Sequence, residues 1–121
     1  MYGLKPDVDM SFFLGKELIQ VAVGPYDVQL HFHESASLSV QSHIEHISEG
    51  VETEWDGDES KPLAAASLLA LIGSSVTSVQ GDSDGTLTLR FTNGDLLKVF
   101  DDDEHYESYQ INPGDSKDIV V

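Results

Sequence analysis

Along most of this chain apolar and polar residues alternate with a period of two, the mark of strands with one face buried. Val28, Leu30 and Phe32 alternate with Gln29, His31 and His33, so Asp27 to Phe32 reads as a strand with the apolar set inward. Lys16 to Val23, Ala36 to Gln41 and Val51 to Trp55 read as strands of the first half. Ser75 to Gln80, Thr86 to Phe91, Leu96 to Phe100, Tyr106 to Ile111 and Ile119 to Val121 follow in the second, with Leu87, Leu89 and Phe91 inward. Gly24-Pro25, Gly81 to Gly85 and Asn112 to Asp115 carry turn residues, and Asn93-Gly94 predicts a type I′ hairpin.

The period changes once. Pro62 to Ile72 is rich in Ala and Leu, the best helix formers, with Pro in the first turn, Ser60 as cap and Gly73 as stop. This predicts an α-helix over 62–72 with Leu68, Leu71 and Ile72 on one face. Asp9 to Leu14 reads as a single helical turn capped by Asp7 or Asp9.

The two halves share a pattern. Leu14-Gly15 and Leu18 match Ile72-Gly73 and Val76 at an offset of 58, while Val28-x-Leu30-x-Phe32 matches Leu87-x-Leu89-x-Phe91 at 59. Leu38-x-Val40 matches Leu97-x-Val99, and Glu45-His46 matches Glu104-His105, at that second offset. The reading is an internal repeat, 9–55 and 66–111, within a single domain spanning 1–121. The expected fold is α+β: a twisted antiparallel sheet of two duplicated β-meanders with the 62–72 helix packed on it.

Charge changes the picture. The chain has 121 residues, 22 of them acidic and 6 basic, for a net charge of −16. That excludes a basic nucleic-acid binder. There are no cysteines, which excludes a disulfide scaffold and thiolate chemistry. The longest apolar run, Leu63 to Ile72, is far short of the roughly 20 residues that span a bilayer, and Met1 to Lys16 does not read as a secretory leader. A cytoplasmic protein with no membrane segment is expected.

The acids fall in two runs. Glu45, Glu49, Glu52, Glu54, Asp56, Asp58 and Glu59 form the first, and Asp101 to Glu104 with Glu107 form the second. Both follow matching Leu-x-Val strands, so the repeat can bring them to one edge of the sheet. Tyr26, Trp55, Tyr106 and Tyr109 lie in or near them as aromatic anchors of a binding surface. The candidate partner-binding set is Glu52, Glu54, Trp55, Asp56, Asp58, Asp101, Asp102, Asp103, Glu104 and Tyr106.

Other chemistry is weaker. His31 and His33, two apart on one strand, are the weak candidates for a metal, but lack the correctly spaced Glu and Gly of a cupin-like His-x-His site. Asp82-Ser83-Asp84-Gly85 fails as a calcium loop because Thr86 and Asn93 stand where ligands five and twelve belong. No Gly-x-Ser-x-Gly elbow and no phosphate loop occur. The expectation is a chain that is not an enzyme and carries no cofactor.

Asp84-Gly85-Thr86-Leu87-Thr88-Leu89-Arg90-Phe91-Thr92-Asn93-Gly94, followed by Tyr106-Glu107-Ser108-Tyr109-Gln110-Ile111, resembles small uncharacterised bacterial proteins of domain-of-unknown-function family 6188. The resemblance covers about residues 66–121 and, more weakly, the first half. It implies a fold and no catalytic residues. By analogy of fold and charge alone, such small acidic α+β proteins also look like immunity proteins that neutralise a toxin. The leading expectation is therefore a non-catalytic acidic domain that caps a basic protein partner, for example a toxin. The alternatives are a ligand- or metal-binding domain on the His31/His33 face and a structural homodimer that pairs through the Ile119 to Val121 edge.

Overall fold

The computed structural model describes residues 9–102, 108–114 and 119–121. Its strands are β1 (Leu18–Val23), β2 (Val28–Phe32), β3 (Ser37–Val40), β4 (His43–Ser48), β5 (Val51–Trp55), β6 (Val76–Gly81), β7 (Leu87–Phe91), β8 (Leu96–Phe100), β9 (Tyr109–Asn112) and β10 (Ile119–Val120). They form two five-stranded antiparallel sheets, ordered β1-β2-β3-β9-β10 and β5-β4-β8-β7-β6. Each sheet thus takes a three-stranded meander from one half of the chain and a pair of strands from the other. The expectation of one sheet gives way to two, because β4–β5 and β9–β10 each cross to join the other half's meander.

The predicted inward faces hold. Val28, Leu30, Phe32, Leu38, Val40 and Ile111 of the first sheet share one core with Ile44, Leu87, Leu89, Phe91, Leu97 and Val99 of the second. Burying this apolar area is the main term stabilising the fold.

The halves meet through reciprocal hydrogen bonds. Gly15 N–H donates to Val76 O at 2.8 Å and Gly73 N–H to Leu18 O at 2.9 Å; Leu18 N–H donates to Ser74 O at 2.9 Å and Val76 N–H to Lys16 O at 3.0 Å. The ladders also fix equivalent positions. Val40 faces Tyr109 as Val99 faces Ile44, so Tyr109 occupies the place of Ile44. The Glu45-His46 match to Glu104-His105 places its second member outside the described residues, and the ladder aligns β4 with β9 instead.

The predicted α-helix is a correction. Pro62–Leu71 is a ten-residue 3₁₀ helix, with Pro62 at its start as expected but no side-chain cap. Ser60, the expected cap, bonds Asp58 through both its N–H and its hydroxyl. Three residues per turn replace 3.6, so residues three apart line up. Ala65, Leu68 and Leu71 form a buried row, while Leu63, Leu69 and Ile72 lie on an exposed one. Ile72 therefore leaves the face on which an α-helix would put it with Leu68 and Leu71. Packing against β1 and β5 overrides the intrinsic preference of Ala and Leu. The short turn near the N-terminus is present as a 3₁₀ turn, Ser11–Phe13, where the Asp9 carboxylate accepts the Ser11 N–H at 2.9 Å. Asp7 lies outside the described residues.

Two further differences concern turns and one missed strand. Asn93 does not have positive φ; Gly94 does, at 92°. The loop from Phe91 to Asp95 is thus a three-residue connection with glycine in the left-handed position, not a type I′ turn. Both central residues of the β4–β5 hairpin have positive φ, as type I′ requires: Glu49 at 52° and Gly50 at 80°. Strand β4 escapes the alternation rule because one of its inward residues is a histidine, His46.

Candidate functional site

The outer face of the second sheet gathers the first acidic run. Pleating alternates side chains, so with Ile44 and Trp55 inward, Glu45 of β4 and Glu52 and Glu54 of β5 point outward. Glu45 and Glu54 are direct cross-strand partners. Carboxylate oxygens of Glu45, Glu52 and Glu54 lie within 4.8 Å of one another. An all-oxygen set of this kind suits a hard cation such as Ca²⁺ or Mg²⁺ by donor type. Lys98 stands opposite Glu45 on the neighbouring β8, so the same carboxylates also have a cation beside them.

His43 joins the two runs. Its Nδ1 lies 3.2 Å from Asp102 Oδ2 and its Nε2 3.6 Å from Glu54 Oε2. The ring packs on Phe100, with centroids 4.7 Å apart. Nε2 is buried and has no hydrogen-bond partner, since Glu54 stands beyond bonding distance. Asp102 of the second run thus meets Glu54 of the first at one imidazole.

Several predicted residues sit elsewhere. Trp55 is 2% exposed and belongs to the core, opposite Ile44. It cannot anchor a partner, because β5 turns that face inward. Asp101 is likewise buried and accepts the Ser108 hydroxyl at 2.7 Å. A Cβ on Gly85 would come within 2.5 Å of Asp101, so this corner closes only around glycine. Tyr109 is buried beside it and donates its hydroxyl to Gly85 O at 2.6 Å. Burial, then the charges of Asp101 and Asp84, raise its pKa far above the usual phenol value. Among the described aromatics of the named set, Tyr26 is the exposed one, on the β1–β2 turn of the first sheet. Asp56 and Asp58 shape the turn after β5, accepting N–H groups of Asp58 and Ser60. Bonds from Ser60 hold the Asp58 carboxyl below the usual range. Asp103, Glu104 and Tyr106 lie outside the described residues.

The two weak metal candidates do not converge. His31 is on β2, but the strand ends at Phe32 and His33 opens a 3₁₀ turn with Glu34 at φ 64°. The period-two expectation fails because the chain has already left the strand. His31 Nε2 lies 3.2 Å from Gln29 Oε1, and Gln29 in turn donates to Asp27.

A second constellation escapes the sequence. His46, the inward residue of β4, lies with Nε2 2.8 Å from Asp95 Oδ2 and Nδ1 3.0 Å from Ser67 Oγ. Thr53 Oγ1 on β5 is 2.9 Å from the same Ser67 oxygen. His46 and Asp95 are each 3% exposed. Burial pushes the Asp95 carboxyl upward, but hydrogen bonds with His46, Ser48 and Asn93 outweigh it and hold the pKa below the usual carboxylate value. The carboxylate accepts the Nε2 proton; in the neutral imidazole Nδ1 then carries the lone pair, 3.0 Å from the Ser67 hydroxyl. These residues come from two strands, a hairpin loop end and the 3₁₀ helix, with no local motif to announce them. The only sequence signal is a histidine in an inward strand position.

A family model described as a family of unknown function (DUF6188) matches residues 12–121. No curated protein and no solved structure matches the chain. Among the described residues no helix is long and apolar enough to cross a membrane.

Proposed function

We propose, for a chain that belongs to the DUF6188 family of unknown function, that it is a protein-binding domain whose acidic outer edge receives a basic protein surface. The observation that carries this reading is the cluster of Glu45, Glu52 and Glu54, whose Glu54 meets Asp102 at His43, on a chain of net charge −16. A field of one sign steers a cationic partner and speeds encounter, and the effect weakens as salt screens it. The immunity analogy gains no support from the family, so the reading stops at the chemistry of the partner. The candidate homodimer edge, β10, is two residues long and is followed by the buried Val121.

The test is capture by the tagged full chain from its own cells at low and high salt, beside a Glu45→Gln, Glu52→Gln, Glu54→Gln variant. A stoichiometric basic protein that is lost at high salt and lost with the variant supports the reading. Equal capture by the variant, or no such protein at either salt, overturns it.

A further inference from the structure

The buried His46–Asp95 pair lies apart from the acidic outer face, and the fold does not require it. The ladders of the first sheet place Ile111 where the second has His46, and Ile119 where it has Thr53. Ala36, whose carbonyl accepts the Phe32 N–H, stands where Asp95 accepts the Phe91 N–H. So one corner of the molecule closes with Ala36, Ile111 and Ile119, and the corresponding corner closes with Asp95, His46 and Thr53. Replacing apolar contacts by a buried polar network brings a desolvation cost and little net stability. What the second corner gains is a continuous hydrogen-bonded series: Thr53 Oγ1 2.9 Å from Ser67 Oγ, Ser67 Oγ 3.0 Å from His46 Nδ1 and His46 Nε2 2.8 Å from Asp95 Oδ2, with Thr53 Oγ1 also 3.4 Å from His46 O.

From this geometry we infer that Ser67 is an activated nucleophile for acyl transfer from esters. Its hydroxyl is hydrogen-bonded to a base, and the base is held in one tautomer and orientation by an ionised carboxylate. Ser67 is half-buried, and its neighbours along the same row of the 3₁₀ helix are the small residues Ala64 and Ala70. The adjoining row supplies exposed Leu63, Leu69 and Ile72, which favour an apolar acyl group. In the first step Ser67 Oγ attacks the ester carbonyl carbon, and its proton passes to His46 Nδ1. The carbon–oxygen bond to the alcohol then breaks, and the leaving oxygen takes that proton. In the second step water attacks the acyl-serine by the same route, releasing the carboxylic acid and restoring Ser67. Asp95 is a positioning residue throughout: it stabilises the imidazolium and never leaves the ionised form.

The experiment exposes the full chain to p-nitrophenyl butyrate and reads both released nitrophenolate and the mass of the protein. The expected result is a burst of one equivalent with a butyryl adduct mapped to Ser67, both lost in Ser67→Ala. Asp95→Asn, folded by near-ultraviolet circular dichroism, is expected to acylate about 100-fold or more slowly with KM unchanged. Folded native protein with no adduct at Ser67 overturns the inference. So does an adduct that persists in Ser67→Ala, or an acylation rate in folded Asp95→Asn equal to the native rate. None of these outcomes bears on the acidic face, whose test uses different residues.

Discussion

Two corners of this molecule occupy equivalent places in its two sheets and are filled by opposite chemistry. Ala36, Ile111 and Ile119 close one with hydrocarbon; Asp95, His46 and Thr53 close the other with hydrogen bonds. The strand registers around them match, while the loops differ: Glu34 and Ser35 have positive φ in one and Gly94 in the other. An apolar corner tolerates approximate packing, whereas a polar one is only as good as its last satisfied group.

The largest expected effect comes from breaking the polar corner halfway. Asp95→Ala leaves His46 buried without its partner and is expected to cost about 3 kcal/mol, read from urea unfolding. Copying the apolar corner completely, with His46→Ile, Thr53→Ile and Asp95→Ala together, is expected to restore stability to within about 1 kcal/mol of the native chain or above it. If the triple variant is as unstable as the single one, the two corners are not interchangeable.

The converse substitution is expected to be nearly as harmful. Ile111→His in the apolar corner buries an imidazole with no acceptor and is expected to cost about 2 kcal/mol or more, by the same measurement. A neutral result there would mean that the corner opens to water.

A smaller effect is expected with pH. The folded-state pKa of Asp95 lies below its unfolded value. Its contribution is therefore complete above the unfolded value of about 4 and is lost as pH falls through the folded one. Stability measured against pH is expected to fall less steeply below about pH 4 in Asp95→Asn than in the native chain. Equal slopes would assign the acid limb to other carboxylates.

The smallest effect belongs to the outer face, which serves as the control. Glu45, Glu52 and Glu54 are like charges at partly or fully exposed positions. Changing all three to Gln is expected to move unfolding by no more than about 1 kcal/mol, toward greater stability. A large loss would show that these carboxylates hold the sheet together instead of serving a partner.

Much of the fold was legible in the sequence. Nearly all strands, their inward faces at Leu30, Leu38, Leu89 and Leu97, and the turns at glycine followed from local rules. The acidic runs were visible too, although two members of the candidate partner-binding set, Trp55 and Asp101, proved to be interior. Strand parity accounts for the first, since Trp55 shares the inward face with Thr53. Asp101 is different: its burial depends on Ser108 and Gly85, which are distant or turn residues that no periodicity connects. The 3₁₀ helix was not legible, because Ala and Leu favour the α form and only packing on β1 and β5 selects the tighter one.

By itself, then, the sequence determined which residues face inward, where the chain turns and how strongly the surface repels its own kind. These are consequences of side-chain alternation, backbone dihedral preference and the count of charges, all of which act over a few residues or over the whole. Only the tertiary structure decided that the strands divide into two sheets, that His43 joins two acidic runs, and that His46 meets both Asp95 and Ser67. A buried polar group is stable only with its partners in place, and those partners lie 49 and 21 residues away along the chain.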